Sequence, residues 1–182
     1  MPIFGFVVLL VLWTMAPAIA ANDAKPPMSR SASVVNAFEV LCNLELPNFD
    51  HIDAKAAAMQ MRSLSDSKTP SANSTVTRRK VWGGQLTTGP FGLLLDEMSG
   101  SKGTVTSCAV VGDVPDLDAF RAEVLNTMKL SPESPPEMGS DGSRSFLWQG
   151  VDGPGTTLIL RDFKPSGKPG IMLKLVSMVH AQ

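Results

Sequence analysis

Tyrosine is absent from this 182-residue sequence, and histidine and cysteine occur only twice each. Neither sign of charge prevails, because 16 basic and 17 acidic side chains leave a formal net charge of −1. This balance provides no field to attract nucleic acid or anionic lipid, and the lack of tyrosine argues against a carbohydrate platform or an antibody-like recognition surface. With 18% charged residues, the chain is also too poor in charge for a solvated disordered protein. These deficits leave an ordinary soluble domain.

The short motifs of the common enzyme classes are also missing. GxSxG, GxxxxGK[ST], HExxH and a GxGxxG at a strand-to-helix turn do not occur. His51 and His180 are the side chains best suited to proton transfer near neutral pH. We expect both to be exposed, one at the start of a helix and the other near the end of the chain. The pattern therefore assigns no catalytic residue.

The only long apolar run lies at the N-terminus, where 16 of the first 20 residues are hydrophobic. The run over residues 3–15 has the length of a signal-peptide core and is too short to span a bilayer of about 30 Å. Small side chains at Ala18 and Ala20 predict cleavage between Ala20 and Ala21. Residues 1–20 are thus expected to be a signal peptide, through which alone the chain meets the membrane. No Lys or Arg precedes the run, so an uncleaved anchor is the alternative.

Export leads to an oxidising compartment, where two cysteines indicate a disulfide rather than a metal or redox pair. Cys42 and Cys108 are 66 residues apart, and closing a loop of that length stabilises a domain by about 4 kcal/mol. A redox centre would show CxxC spacing, and a zinc site would need two further ligands. The sequence therefore predicts a periplasmic or secreted protein with a structural disulfide.

The mature chain is predicted to contain a flexible tether over residues 21–32 and a single domain over residues 33–182. Helical spacing from Ser33 predicts a first helix that ends before Pro47. A second short helix is expected with Asp50 as its N-cap and Asp53 at its third position.

The clearest helix begins at Pro115-Asp116, with Asp116 as its N-cap and an apolar stripe that continues to Met128. The polar segments 63–77 and 131–143 are predicted to be exposed loops. Six strands are predicted, at residues 79–86, 91–98, 104–111, 145–149, 156–163 and 171–179. The last of these is apolar on both faces, which indicates a central position.

This order of elements favours an α+β fold over a parallel, doubly wound sheet. We expect a two-layer sandwich with a mostly antiparallel sheet of about six strands. Two helices precede the sheet and one lies in the middle of the chain.

Several polar groups could carry chemistry but have simpler interpretations. The basic run Arg78-Arg79-Lys80 ahead of Trp82 could hold a nucleic-acid backbone, yet it fits the entry of a strand with solvated charges. The carboxylate pairs Asp50 with Asp53 and Asp96-Glu97 could serve glycoside chemistry. Turn and cap positions explain these pairs better, and we expect no nucleic-acid partner.

A soft-metal site would draw on histidine and methionine. His51 lies near Met59 and Met61, and His180 lies near Met172 and Met178. His51 and Met59 are about two helical turns apart, which is too far to chelate one ion directly. Because methionine is more typical of hydrophobic cores, we expect no metal and no cofactor.

A set of features resembles small exported proteins of unknown function from alphaproteobacteria, over about residues 34–130. The features are a helix with Phe38 and Cys42 leading to Leu46-Pro47, Trp82 in a strand, Gly89-Pro90-Phe91, Ser107-Cys108-Ala109-Val110, and the helix over residues 116–130. The resemblance implies a Gram-negative periplasm and a pairing of Cys42 with Cys108. It transfers no catalytic residue.

Two functions are compatible with the sequence. The first is a non-enzymatic binding or envelope-accessory module on a disulfide-linked scaffold, whose partner is an unidentified protein or small molecule of the envelope. The second is a hydrolase or transferase whose Ser, Asp or Glu residues meet only in the fold, with the segments 63–77 and 131–143 flanking a cleft. The scarcity of chemical motifs favours the first.

Overall fold

The computed structural model describes residues 28–70, 75–131, 135–151, 153–163 and 170–181. The predicted signal peptide over residues 1–20, its cleavage site at Ala20 and Ala21, and most of the predicted tether lie outside the described residues. The last residues of the predicted tether are described, and they form the first turn of a helix that begins at Arg30.

Three helices occur in the described chain: α1 (Arg30–Phe38), α2 (Phe49–Ala58) and α3 (Leu117–Thr127). Helix α1 continues without a break into a π-helical turn, Glu39–Asn43. None of these helices has the length and apolarity needed to cross a membrane.

The predicted cap of α3 is confirmed, since the Asp116 carboxylate accepts hydrogen bonds from the backbone N–H groups of Asp118 and Ala119. The predicted cap of α2 is wrong. Asn48 occupies that position and accepts from the N–H of His51, because the helix begins one residue before Asp50. Asp50 instead lies in the first turn, where a negative charge favours the helix dipole.

The strands form one antiparallel sheet. In chain order they are β1 (Arg62–Pro70), β2 (Val76–Leu86), β3 (Gly89–Gly100), β4 (Gly103–Asp113), β5 (Glu137–Met138), β6 (Arg144–Gln149), β7 (Thr156–Phe163) and β8 (Gly170–His180). Their order across the sheet is β1-β2-β3-β4-β8-β7-β6-β5, with every neighbouring pair antiparallel. Two four-stranded meanders therefore meet where β4 pairs with β8, and the central position predicted for β8 is confirmed.

The α+β class is confirmed, but the expected number of about six strands is wrong, because the described chain has eight. Both additional strands lie in segments predicted to be loops. Strand β1 begins one residue before the predicted loop 63–77 and otherwise lies within it, and all nine of its residues are exposed. Backbone pairing with β2 therefore holds β1 in place, although its sequence has no alternation of apolar and polar residues. Strand β5 lies within residues 131–143 and has only two residues.

One face of the sheet, called the covered face below, packs against the helices. The pleat places Leu95, Cys108, Leu175 and Leu158 in one row across four strands, and each is at most 2% exposed. These side chains join residues from all three helices in a single buried cluster.

The predicted disulfide is confirmed. Cys42 in the π-helical turn is bonded to Cys108 in β4, with a Cα–Cα distance of 5.4 Å and both residues fully buried. It links the helical layer to a strand near the middle of the sheet.

The opposite face, called the open face below, carries Val81, Leu94, Ala109, Lys174, Ile159 and Leu147 in one register row. In the part of the chain that the structure describes, the core cluster is built on the other face. Side chains such as Leu147 on the open face keep contact with solvent.

Candidate functional site

A cavity of about 420 Å³ opens between α2 and the strands β1 and β2. Its lining consists of Phe49, Asp50, Asp53, Asp66, Ser67, Lys68, Arg78 and Lys80. Three of these residues are cationic and three are anionic, so the site has no net formal charge. We call this cavity the charged cleft.

The pleat of β2 and the first turns of α2 bring these charges together. Arg78, Lys80 and Trp82 alternate along β2 on the covered face, opposite Glu97, Leu95 and Leu93 of β3. Because α2 packs over β3, its N-terminal turns place the carboxylates of Asp50 and Asp53 within reach of β2.

Arg78 is held on three sides. Its Nη2 donates to Asp50 Oδ1 at 2.6 Å and its Nη1 donates to Glu97 Oε1 at 3.3 Å. The guanidinium carbon lies 4.0 Å from the centroid of the Phe49 ring, a cation–π arrangement. The hydrogen bond with Arg78 lowers the pKa of Asp50, and the same bond raises the pKa of Arg78. Both groups are therefore charged at neutral pH.

Lys80 is the second cation of the charged cleft. Its Nζ lies 2.9 Å from Asp53 Oδ2 and 3.1 Å from Asp66 Oδ2. The indole Nε1 of Trp82 donates to the other Asp53 oxygen at 3.1 Å. The hydrogen bond to Asp53 raises the pKa of Lys80. A lysine serves as a nucleophile or base only as the neutral amine, so this environment suits Lys80 to binding rather than to catalysis.

Lys80 and Arg78 lie deeper than one carboxylate partner each. Their side chains are 17% and 31% exposed, whereas those of Asp66 and Asp50 are 65% and 76% exposed. The other partners, Asp53 and Glu97, are part-buried. The charged cleft therefore combines two part-buried cations with two exposed carboxylates, and can receive an anionic and a cationic group of one ligand together.

The structure separates most of the other residues singled out in the sequence. Arg79 points to the open face and donates to Asp96 Oδ1 at 2.5 Å, so residues 78–80 do not form one basic patch. Asp96 and Glu97 point to opposite faces for the same reason and cannot act as a carboxylate pair.

The two histidines lie apart from the charged cleft. His51 is exposed, with its Nδ1 3.5 Å from Glu45 Oε2, and that carboxylate also accepts from Lys55 at 2.5 Å. The hydrogen bond with Lys55 lowers the pKa of Glu45. His180 lines a different cavity, on the open face.

A serine–carboxylate contact occurs at the other end of the sheet but has the geometry of a turn. Ser143 Oγ donates to Asp141 Oδ1 at 2.6 Å and accepts from Arg161 Nε at 3.1 Å. Ser143 is only 3% exposed, and its hydroxyl lowers the pKa of Asp141. A general base needs a pKa near the working pH, so this pair does not support a hydrolase.

The described residues contain no group of three or more His, Cys, Asp or Glu side chains that could hold a metal ion. The finding does not concern sites built on methionine sulfur.

Four residues of the charged cleft, Phe49, Asp66, Ser67 and Lys68, were not singled out from the sequence. Asp66 and Lys68 lie in β1, which reads as a loop because none of its side chains is buried. Asp66 and Lys68 are two residues apart, and this spacing places side chains on the same face of a strand. It is the one sequence signal that could have grouped them.

Comparisons of the chain with protein-family models, with curated proteins and with solved structures gave no match. No relative therefore supplies a function or a set of site residues. The functional proposal rests on the charged cleft itself.

Proposed function

We propose that this protein is a non-enzymatic binding module of the cell envelope, and that the charged cleft binds a small zwitterionic ligand such as an amino acid or a short peptide. The observation that carries the proposal is the meeting of the part-buried cations Arg78 and Lys80 with the exposed carboxylates of Asp50 and Asp66 in one cavity of about 420 Å³. A zwitterion carries a carboxylate and an ammonium group a few bonds apart, so both can enter a cavity of this size.

The ion pairs of the charged cleft allow this exchange of partners. Pairs with a solvent-exposed member contribute only about 0 to 1 kcal/mol each, so replacing one protein carboxylate by a ligand carboxylate costs little. The ligand carboxylate would bind Lys80 and Arg78, and its ammonium group would bind the exposed carboxylates of Asp50 and Asp66. The Phe49 ring supplies an apolar wall.

The proposed compartment is the periplasm or the exterior of the cell. The buried disulfide between Cys42 and Cys108 is consistent with an oxidising compartment, and the apolar run of residues 3–15 has the pattern of a signal peptide. Intact-mass measurement of the exported protein tests this directly. We expect a mass that begins at Ala21 and that increases by two hydrogen atoms on reduction. A mass that retains residues 1–20 would contradict removal of a signal peptide.

Calorimetric titration tests the ligand class. Glycine and short dipeptides are compared with methylamine and acetate, which each carry one of the two charges. We expect saturable binding of at least one zwitterion and weaker binding of both single-charge analogues. If no zwitterion binds more tightly than acetate or methylamine, the proposal is wrong.

Lys80→Met is the informative variant, because methionine retains most of the apolar stem and removes the charge. We expect it to weaken zwitterion binding at least tenfold. Arg161→Met, which removes a cation paired with Asp141 outside the charged cleft, is the matched control and should bind as the wild type does. Recovery of the ligand chemically unchanged distinguishes a binding module from the hydrolase or transferase alternative.

A further inference from the structure

A second cavity, of about 440 Å³, lies where the β3–β4 hairpin meets the last residues of β8. Met98, Met178 and His180 all line it. It shares no residue with the charged cleft. The sequence links Met178 to His180 but gives no reason to place Met98 beside them.

The register of the sheet produces this grouping. Met98 in β3 pairs with Val105 in β4, which pairs with Met178 in β8, so the three occupy one row on the open face. Because neighbouring strands are about 4.8 Å apart, the two methionine Cα atoms are separated by about 10 Å. His180 is two residues beyond Met178, and thus on the same face. The side chains of Met98, Met178 and His180 are long enough to meet above Val105.

Core packing does not explain these two methionines. Met98 and Met178 are 49% and 47% exposed, whereas Met61 in the core is 8% exposed. Methionine most often fills gaps in a hydrophobic interior, and surface positions in a sheet are more commonly polar. Two thioethers that face solvent around one cavity therefore call for another role.

The backbone around the cavity is well fixed. Ser99 and Thr104 share a hydrogen bond between their hydroxyls at 3.1 Å, and the N–H of Ala181 donates to the carbonyl of Lys102 at 3.2 Å. Gly103 has a φ of 133°, and a Cβ there would lie 2.2 Å from the carbonyl oxygen of Val179. A glycine is thus required where the hairpin passes β8, and the ligand-bearing strands are held in place.

We propose that Met98, Met178 and His180 bind one soft monovalent metal ion of the Cu(I) type. Thioether and imidazole donors suit soft metals, and Cu(I) in particular. Thioether sulfur is uncharged and imidazole binds metals in its neutral form. Among the described residues no carboxylate lines the cavity, and Lys102 adds a positive charge to its lining. A divalent ion would bring more uncompensated charge into this site than a monovalent one. This proposal replaces the expectation, drawn from the sequence, that the protein binds no metal.

Ag(I) is a suitable probe because it mimics Cu(I), stays monovalent and needs no reductant, so the disulfide remains intact. Native mass spectrometry and competition with a chelator measure its stoichiometry and affinity on the purified, disulfide-bonded protein. We expect one tightly bound Ag(I) per chain and no comparable binding of Zn(II). Equal affinity for Zn(II), or no Ag(I) binding, would overturn the proposal.

Matched methionine variants locate the site. Met98→Leu combined with Met178→Leu should weaken Ag(I) binding at least tenfold, and His180→Gln should also weaken it. Met59→Leu combined with Met138→Leu, which changes two exposed methionines elsewhere, should leave it unchanged. Equal losses in both double variants would show that Ag(I) binds surface methionines without selection, which contradicts a defined site.

NMR of the methionine methyl groups gives a readout that does not depend on the stability of any variant. Addition of one equivalent of Ag(I) to the wild-type protein should shift the methyl resonances of Met98 and Met178 and leave that of Met59 in place. Lys80→Met should retain full Ag(I) binding, so that failure of the zwitterion proposal and failure of the metal proposal are distinguishable.

Discussion

The two four-stranded halves of the sheet differ in the side chains that their strands present to the helical layer. In the first half, β2 presents Arg78 and Lys80 to carboxylates of α2. In the second half, β6 presents Phe146 and Trp148, whose ring centroids are 6.5 Å apart, and both side chains are buried. The halves share the order of helix followed by four strands, yet one meets its helix through charges and the other through aromatic rings.

The position of the ion pairs explains why a cleft forms in the first half. Arg78 and Lys80 each bind one carboxylate of α2 and one of a neighbouring strand, so charged side chains occupy the space between α2 and β2. The second half also contains a cation on the covered face, Arg144, but its partner Asp162 lies on the neighbouring strand at 2.6 Å. That pair lies within the sheet, and Phe146 and Trp148 on the same strand as Arg144 join the buried cluster.

The largest expected effect comes from removing the covalent link of the first half. Cys42→Ser combined with Cys108→Ser should lower the free energy of unfolding by about 4 kcal/mol, since the unfolded chain regains the freedom of a 66-residue loop. Urea unfolding of the variant, and of reduced wild-type protein, measures this loss. A loss below about 1 kcal/mol would show that packing alone fixes α1 on the sheet.

A pair of leucine variants compares the covered and open faces of the second half. Leu160→Ala, in β7 on the covered face, should destabilise the protein by about 3 kcal/mol through lost burial and a cavity. Leu147→Ala, on the open face of the neighbouring strand, should cost less than about 1 kcal/mol, because its side chain already contacts solvent. If both variants lost the same free energy of unfolding in urea, Leu147 would be as buried in solution as Leu160, which contradicts a solvent-exposed open face.

The smallest expected effect concerns acid stability. The pKa of Asp50 is lowered by Arg78 in the first half, and that of Asp141 is lowered by Ser143 in the second. A lowered folded-state pKa stabilises the protein above the unfolded-state pKa of about 4, and this contribution is lost as pH falls through the folded-state value. Stability should therefore decline on acidification below about pH 4.

The Arg78→Met variant tests whether part of this loss of stability at low pH comes from the charged cleft. NMR titration of the carboxyl carbons should show the pKa of Asp50 rising toward its ordinary value in the variant, while the pKa of Asp141 stays low. The acid dependence of the urea midpoint should become shallower. An unchanged pKa of Asp50 would contradict the hydrogen bond from Arg78 as the cause of the shift.

Elements with their own local signals were predictable from the sequence. Asp116 follows Pro115 and precedes an apolar stripe, and α3 begins there as expected. The export pattern and the cysteine count together predicted the disulfide. Strand β1 has no such signal, because backbone pairing with β2 forms it and none of its side chains is buried.

The candidate sites depend on contacts between distant segments, which a single sequence does not reveal. Asp53, Lys80 and Trp82 were each singled out, yet nothing in their spacing indicates that one carboxylate accepts from both of the others. The same holds for Met98 and Met178, which meet only because β8 pairs with β4. Local composition identified some of the participating residues, and the packing and register of the sheet brought the rest to them.

The central position of β8 also affects when the domain can fold during synthesis. Strand β4 has one side unpaired until β8 is available, and the nearest residues of that pairing, Asp113 and Gly170, are 57 positions apart. At ordinary rates of synthesis that interval is roughly 3 to 11 s. The edge of β4 stays unpaired during this time, and the core, which includes Leu173 and Leu175 of β8, cannot be completed before β8 has been made. This late completion suits the proposed export, because a chain passes through an export channel unfolded.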